Sequence, residues 1–207
     1  MNRFWRLLEV LEKRYGDMEF FEKDPFRVLI TTILSQRTRD ENTLAASKNL
    51  FKKVRTPEDI LKMDIKTLKR LVKPAGMYDQ KARKIKEVSK IIVERFGGEV
   101  PKTREELMDM LGVGYKTADV VLMYGLGIPS IAIDTHCNRI PKRLGLVPES
   151  ADVEEVKRIL ERNIPKEKWW LVNLGLVQFG REICRPVKPR CDVCPLKDMC
   201  DFYRRGK

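Results

Sequence analysis

The sequence predicts an all-α protein. Three observations carry that prediction: apolar residues recur at helical spacing, proline and glycine interrupt these stretches at short intervals, and the one apolar strand candidate, Ile131-Ala132-Ile133, is too brief to seed a sheet. In chain order, Phe4, Leu7, Leu8 and Leu11 share a face of the first helix. Ile85, Val88, Ile91 and Ile92 do the same in a later helix, as do Val153, Val156, Ile159 and Leu160 in a third. Breaks at Pro25, Pro57, Pro74-Ala75-Gly76, Gly97-Gly98, Gly112-Val113-Gly114, Gly127-Ile128-Pro129, Pro148 and Pro165 divide the chain into about ten short helices. Low-complexity segments and long linkers are absent, and 207 residues allow either one domain or two compact lobes.

Charge narrows the partner. Lys and Arg number 42 against 30 Asp and Glu, a net +12 that favours a polyanion, nucleic acid ahead of a membrane surface. The stretch Lys66 to Lys90 holds nine basic residues and two acids, and is expected to face phosphates. No apolar run approaches the ~20 residues of a membrane span, and charges run through the N-terminal MNRFWRLLEVLEKRYG, so the expectation is an intracellular protein. The 35% of charged residues and only nine Asn plus Gln lean toward a heat-adapted organism.

Thr103-Arg104-Glu105-Glu106 is a capping-box pattern that opens a helix, and Gly112 and Gly114 close it before a second helix over Tyr115 to Leu126. A glycine turn at a helix N-terminus presents backbone N–H groups and the positive dipole end, which suit one DNA phosphate without reading a base. A plain packed helical hairpin explains the same residues. A Walker phosphate loop is excluded, because Tyr115 rather than glycine precedes Lys116. Gly76-Met77-Tyr78-Asp79-Gln80-Lys81-Ala82 echoes the glycine, aromatic, lysine and alanine order of 112–118.

Four of the five cysteines lie in the last 24 residues as Cys184-x6-Cys191-x2-Cys194-x5-Cys200. In a reducing compartment such a cluster reads as a metal site, zinc or iron–sulfur. Zinc ribbons usually present two Cys-x2-Cys pairs and this loop has one. Arg185, Lys188 and Arg190 decorate its first arm, either as cations for a DNA backbone or as a solvated charged loop. Cys137 stands apart and reads as a buried core thiol.

Leu111-Gly112-Val113-Gly114-Tyr115-Lys116-Thr117-Ala118, followed by Ile133-Asp134-Thr135-His136, resembles the helix-hairpin-helix, Gly/Pro-rich loop and aspartate motif of the endonuclease III superfamily. The 6-2-5 cysteine spacing resembles the iron–sulfur loop of the same family. The resemblance runs from about Phe26 to Cys200. It implies two helical lobes with the active-site cleft between them: a bundle over 25–133 carrying the hairpin, and a cluster lobe from 1–24 plus 134–207. It also implies a [4Fe–4S] cofactor on Cys184, Cys191, Cys194 and Cys200, with Lys116 as nucleophile and Asp134 as catalytic carboxylate.

The chemistry suits that pair. Breaking an N-glycosidic bond builds positive charge on the sugar, which a carboxylate stabilises while an amine attacks C1′. A lysine nucleophile must be held where burial, a helix N-terminus or other cations favour its neutral form. Taken alone, Lys116 reads as a solvated helix lysine and Asp134 as the N-cap of a helix starting at Thr135; His136 reads as structural or as a DNA contact.

The implied activity is a bifunctional DNA N-glycosylase and AP lyase of base excision repair, removing oxidised pyrimidines from double-stranded DNA, in a monomeric, cytoplasmic, nucleoid-associated prokaryotic protein. Gly112, Val113 and Gly114 would clamp a phosphate. The loop Leu34-Ser35-Gln36-Arg37-Thr38-Arg39-Asp40 would enter the gap left by the flipped base, and Met77 would wedge the opposite strand. The bacterial pattern places a glutamine at the slot of Arg37, whereas here the glutamine is Gln36, so either side chain could fill the gap. Two alternatives stand: a thymine or uracil mismatch glycosylase, and a non-catalytic DNA-binding module with a structural metal. An adenine-mismatch enzyme is disfavoured, since seven residues after Cys200 leave no room for its extra domain.

Overall fold

The computed structural model describes residues 2–18 and 22–206, and helix is the only regular secondary structure among them. In chain order the α-helices are α1 (Arg3–Tyr15), α2 (Pro25–Ser35), α3 (Asp40–Phe51), α4 (Pro57–Lys62), α5 (Ile65–Val72), α6 (Tyr78–Phe96), α7 (Arg104–Met108), α8 (Tyr115–Val120), α9 (Thr135–Arg143), α10 (Val153–Asn163), α11 (Trp169–Glu182) and α12 (Asp201–Arg204). They form two compact units: a hairpin unit, Phe20–Ile128, and a cysteine unit, Met1–Glu19 with Pro129–Lys207. The division falls at 128/129 rather than at the expected 133/134, because Ile131 and Ile133 join the core of the cysteine unit. The expected lobe 1–24 includes positions 1 and 19–21, which lie outside the described residues.

The hairpin unit is built around α2. Phe26, Val28, Leu29, Ile30, Ile33 and Leu34 are all buried, so this helix is apolar on most of its circumference, as a central bundle helix must be. Asp24 caps it by accepting the Arg27 N–H at 2.8 Å, and Pro25 occupies the first turn, where no N–H is required. α3, α6 and α8 pack against it, while α4 and α5 pack on α6 through Ile85, Val88 and Ile92. The expected helix Tyr115 to Leu126 divides in two: α8 ends at Val120 and widens into a π turn over Val121–Gly125. There Gly125 lies so close to α2 that a Cβ would stand 2.8 Å from Pro25 Cα.

The basic stretch 66–90 does not present all its cations to solvent. Lys81 is only 3% exposed, Lys69 pairs with Asp79, and Lys86 donates to the Met63 carbonyl, leaving Lys66, Arg70, Lys73, Arg83 and Lys90 exposed. Local charge density in a sequence says nothing about which ammonium groups tertiary packing will take up.

In the cysteine unit α1 lies along α11, and α9 packs on α11, α10 and α12. Leu7, Leu11, Ile140, Val156, Leu160, Leu176 and Phe179 form its core, whereas Val153, expected on the same face as Val156, is exposed at the start of α10. The segment 131–133 is buried without forming a strand, and side chains satisfy its backbone: Asn173 Nδ2 donates to Ala132 O at 2.7 Å, Lys157 Nζ donates to Ile131 O at 3.2 Å, and Ile131 N donates to Glu161 Oε1 at 3.3 Å. No helix among the described residues is long and apolar enough to cross a membrane.

Candidate active site and cysteine loop

In the hairpin unit, Thr103 caps α7 by accepting the Glu106 N–H at 3.3 Å. The chain turns at Gly112, whose φ of +79° favours glycine; a Cβ there would also stand 2.8 Å from Lys84 Cδ. The Lys84 stem therefore runs beneath the turn, and its Nζ reaches Gln36 Oε1 at 3.4 Å. Gln36 Nε2 in turn donates to the Gly112 carbonyl at 2.9 Å, so the amide is a strut under the hairpin. Val113 turns its side chain inward and is buried, leaving only its backbone to meet a ligand.

Gly114 leads into α8 with extended backbone and no side-chain cap. The first intrahelical bond runs from Ala118 N to Gly114 O at 3.0 Å, so the N–H groups of the first turn are directed outward. Lys116 is the second residue of α8 and is exposed. It lines a cavity of about 600 Å³ lying wholly within the hairpin unit, with Ser35, Gln36, Arg37, Met77, Lys81 and Lys84. Two of those residues, Arg37 (φ 52°) and Met77 (φ 45°), are non-glycine residues in the left-handed region, and both are exposed.

An ion pair that sequence reading missed secures the first turn of α8. Asp119, 1% exposed, faces the Arg104 guanidinium at 3.1 Å, and that guanidinium stacks over the Tyr115 ring at 4.7 Å. Arg104 heads α7, whereas Tyr115 and Asp119 belong to α8, so the pair locks the two hairpin helices beside Lys116. The available signal was the 4-residue spacing of Tyr115 and Asp119 on one helix face.

In the cysteine unit, Asp134 caps α9: its Oδ1 accepts the N–H groups of His136 and Cys137, each at 2.8 Å. Two N–H donors thus hold the carboxylate rigidly. Cys137 is fully buried, and burial pushes its thiol well above the ordinary range, in keeping with a core role. His136 Nδ1 lies 3.0 Å from Arg139 Nη2.

Farther along α9, Arg139 donates to Cys184 O at 2.8 Å, and Arg143 donates to Arg185 O at 2.7 Å and Pro186 O at 2.9 Å. Arg143 also approaches Cys184 Sγ at 3.5 Å while stacked on Phe202. Cys184, Cys191, Cys194 and Cys200 line one cavity with Ile140, Leu144, Phe179 and Ile183. Four thiols lining one cavity are a donor set that fits an iron–sulfur group. Burial pushes the Cys194 thiol up to about 11, and burial with the neighbouring Cys200 and Cys184 raises that of Cys191. Such a donor set ionises when metal takes up its charge. Arg185, Lys188 and Arg190 are exposed on the first arm, with Lys188 in the left-handed region.

An exposed amine beside outward-facing backbone N–H groups suits a partner with phosphates, and the family models place the chain among helix-hairpin-helix DNA repair proteins. Residues 30–166 match the HhH-GPD superfamily of base excision DNA repair proteins, and residues 184–200 match the iron–sulfur binding domain of endonuclease III. The endonuclease III of Thermotoga maritima is 50% identical over 184 residues, 89% of this chain and 86% of that protein. A non-covalent endonuclease III–DNA complex superposes with a TM-score of 0.90 at 34% identity, covering 99% of this chain and 98% of the other. A trapped covalent endonuclease III–DNA intermediate gives 0.89 at 35% identity, with 99% of each chain covered. The chain belongs to the endonuclease III family. It is a base-excision-repair enzyme, a DNA glycosylase and AP lyase, and carries a [4Fe–4S] cluster.

Proposed function

We propose that Lys116 is the nucleophile of both reactions and that Asp134 supplies the carboxylate. The observation that carries this reading is the exposed Lys116 amine lining a cationic cavity at the head of α8. Its Nζ attacks C1′ of the damaged nucleotide as the glycosidic bond breaks and the base leaves with the bonding pair and a proton. Asp134 Oδ2 stabilises the charge that develops on the sugar. The C1′–O4′ bond then breaks, O4′ taking up a proton, to give a Schiff base that acidifies the C2′ proton; removal of that proton expels the 3′ phosphate by β-elimination, cutting the strand 3′ to the lesion, and hydrolysis frees the lysine.

The backbone of Gly112, Val113 and Gly114 holds one phosphate. Met77 and Arg37 enter the opened duplex; Gln36, whose amide is engaged with Gly112 and Lys84, supports the hairpin from below. Cys184, Cys191, Cys194 and Cys200 would hold the cluster, which supplies a rigid peg for the arm that presents Arg185, Lys188 and Arg190 to the DNA backbone. The substrates are oxidised pyrimidines in double-stranded DNA, handled by a monomer in a prokaryotic cytoplasm.

Borohydride trapping with duplex DNA containing thymine glycol tests the mechanism. A covalent adduct is expected for the native chain and none for Lys116→Gln. An adduct formed only with a guanine–uracil duplex would move the enzyme to the mismatch branch, and no adduct even with abasic DNA would overturn the lysine mechanism.

A further inference from the structure

Lys81 is a buried cation that the proposed chemistry does not use. Its ammonium donates to Leu34 O and Ala75 O, each at 2.8 Å, and to Thr38 Oγ1. Thr38 Oγ1 itself donates to Ala75 O at 2.6 Å. Among the described residues no carboxylate pairs with Lys81, and burial together with nearby Lys84 holds its pKa below the ordinary lysine value. A buried charge without a counter-ion is costly, and the carbonyls that accept from this one offset part of that cost.

What the ammonium joins is specific. Leu34 O belongs to the last turn of α2, Thr38 to the loop containing Arg37, and Ala75 to the turn that leads into Met77. Arg37 and Met77 are both non-glycine residues in the left-handed region, and both line the cavity that holds Lys116. Backbone in that region persists only where its surroundings hold it; Lys81 is bonded to both segments and to the Thr38 hydroxyl that joins them through Ala75 O. In the echo between 76–82 and 112–118, Lys116 directly follows Tyr115 whereas Lys81 stands two positions later relative to Tyr78, and one lysine faces out while the other is drawn inward.

We infer that Lys81 is a positioning residue for DNA opening: its ammonium clips the 36–39 loop to the 73–77 turn and holds Arg37 and Met77 as the pair that enters the duplex. This rests on the reading that those two residues are the wedges.

The test uses the full, cluster-loaded chain with Lys81→Met, Thr38→Val and the double variant. Borohydride trapping rates are measured on an abasic site in a duplex and on the same site in a single strand, which needs no opening. Fluorescence of 2-aminopurine beside the site reports unstacking without any chemistry. Lys81→Met should slow duplex trapping by about tenfold or more and weaken the fluorescence rise, while single-strand trapping stays within roughly twofold. Thr38→Val should show a smaller loss confined to the duplex, and the double variant should be no worse than Lys81→Met, as expected of groups acting through one contact. Equal slowing on both substrates, or none, would overturn the clip. If the native chain traps neither substrate, the lysine mechanism falls instead, and the clip is judged by the fluorescence alone: a native-sized rise in Lys81→Met overturns it and a diminished one supports it. Should Lys81→Met fail to fold, as judged by melting and cluster absorbance, Thr38→Val keeps the lysine and decides the question by the same duplex-only loss.

Discussion

The nucleophilic role proposed for Lys116 requires that its helix turn be held still, and the groups that hold it are few. Arg104 bridges α7 to α8 through buried Asp119 and through the Tyr115 ring. Replacing Asp119 with Asn removes the charge but keeps the shape, leaving the guanidinium largely buried beside a neutral amide. The expected cost is about 2–4 kcal/mol, read as a lower chemical-denaturation midpoint at unchanged slope. Borohydride trapping should fall in the same variant, since the turn that carries the amine loosens. Gly112→Ala should likewise destabilise, by roughly 1–2 kcal/mol, because the added Cβ meets both an unfavourable φ and the Lys84 stem.

At the scale of the element, α9 performs two tasks along one axis. Its first residue follows the Asp134 cap, and its later turns carry Arg139 and Arg143 into the cysteine loop. The cap that Asp134 makes can be separated from the catalytic role proposed for it, since Asn caps a helix nearly as well as Asp but carries no charge. Asp134→Asn should leave thermal stability within about 0.5 kcal/mol of native while excision falls by about 10²-fold or more; Asp134→Ala should lose about 1 kcal/mol of stability as well. Equal losses of stability in both variants would argue that the carboxylate is only a cap. The exposed arm of the loop makes a separate prediction: replacing Arg185, Lys188 and Arg190 with alanine should flatten the plot of log affinity for undamaged DNA against log salt by about one unit for each phosphate that is no longer neutralised. An unchanged slope would mean these cations are merely solvated.

For the whole molecule, loss of the cluster should be felt first where its loop is anchored. Oxidative removal of iron is expected to expose 184–200 to proteases, to lower amide protection in α9 and α11, and to reduce the melting temperature by several degrees, roughly 2–4 °C for each kcal/mol lost.

The helical class, the hairpin turn, the Asp134 cap of α9 and the four-cysteine loop were legible in the chain, because periodicity, caps, turn glycines and ligand spacing are local signals. The π turn after Val120, the amide of Gln36 held under Gly112, the Arg104–Asp119 pair and the burial of Lys81 were not. Each depends on partners far apart in the chain, such as the 47 residues between Lys81 and Leu34. Sequence by itself determined which groups could do chemistry and roughly on which helix ends they stand. Only the tertiary structure decided which cations face solvent and which are used inside, because a charged donor is taken up wherever packing brings unpaired carbonyls within its reach.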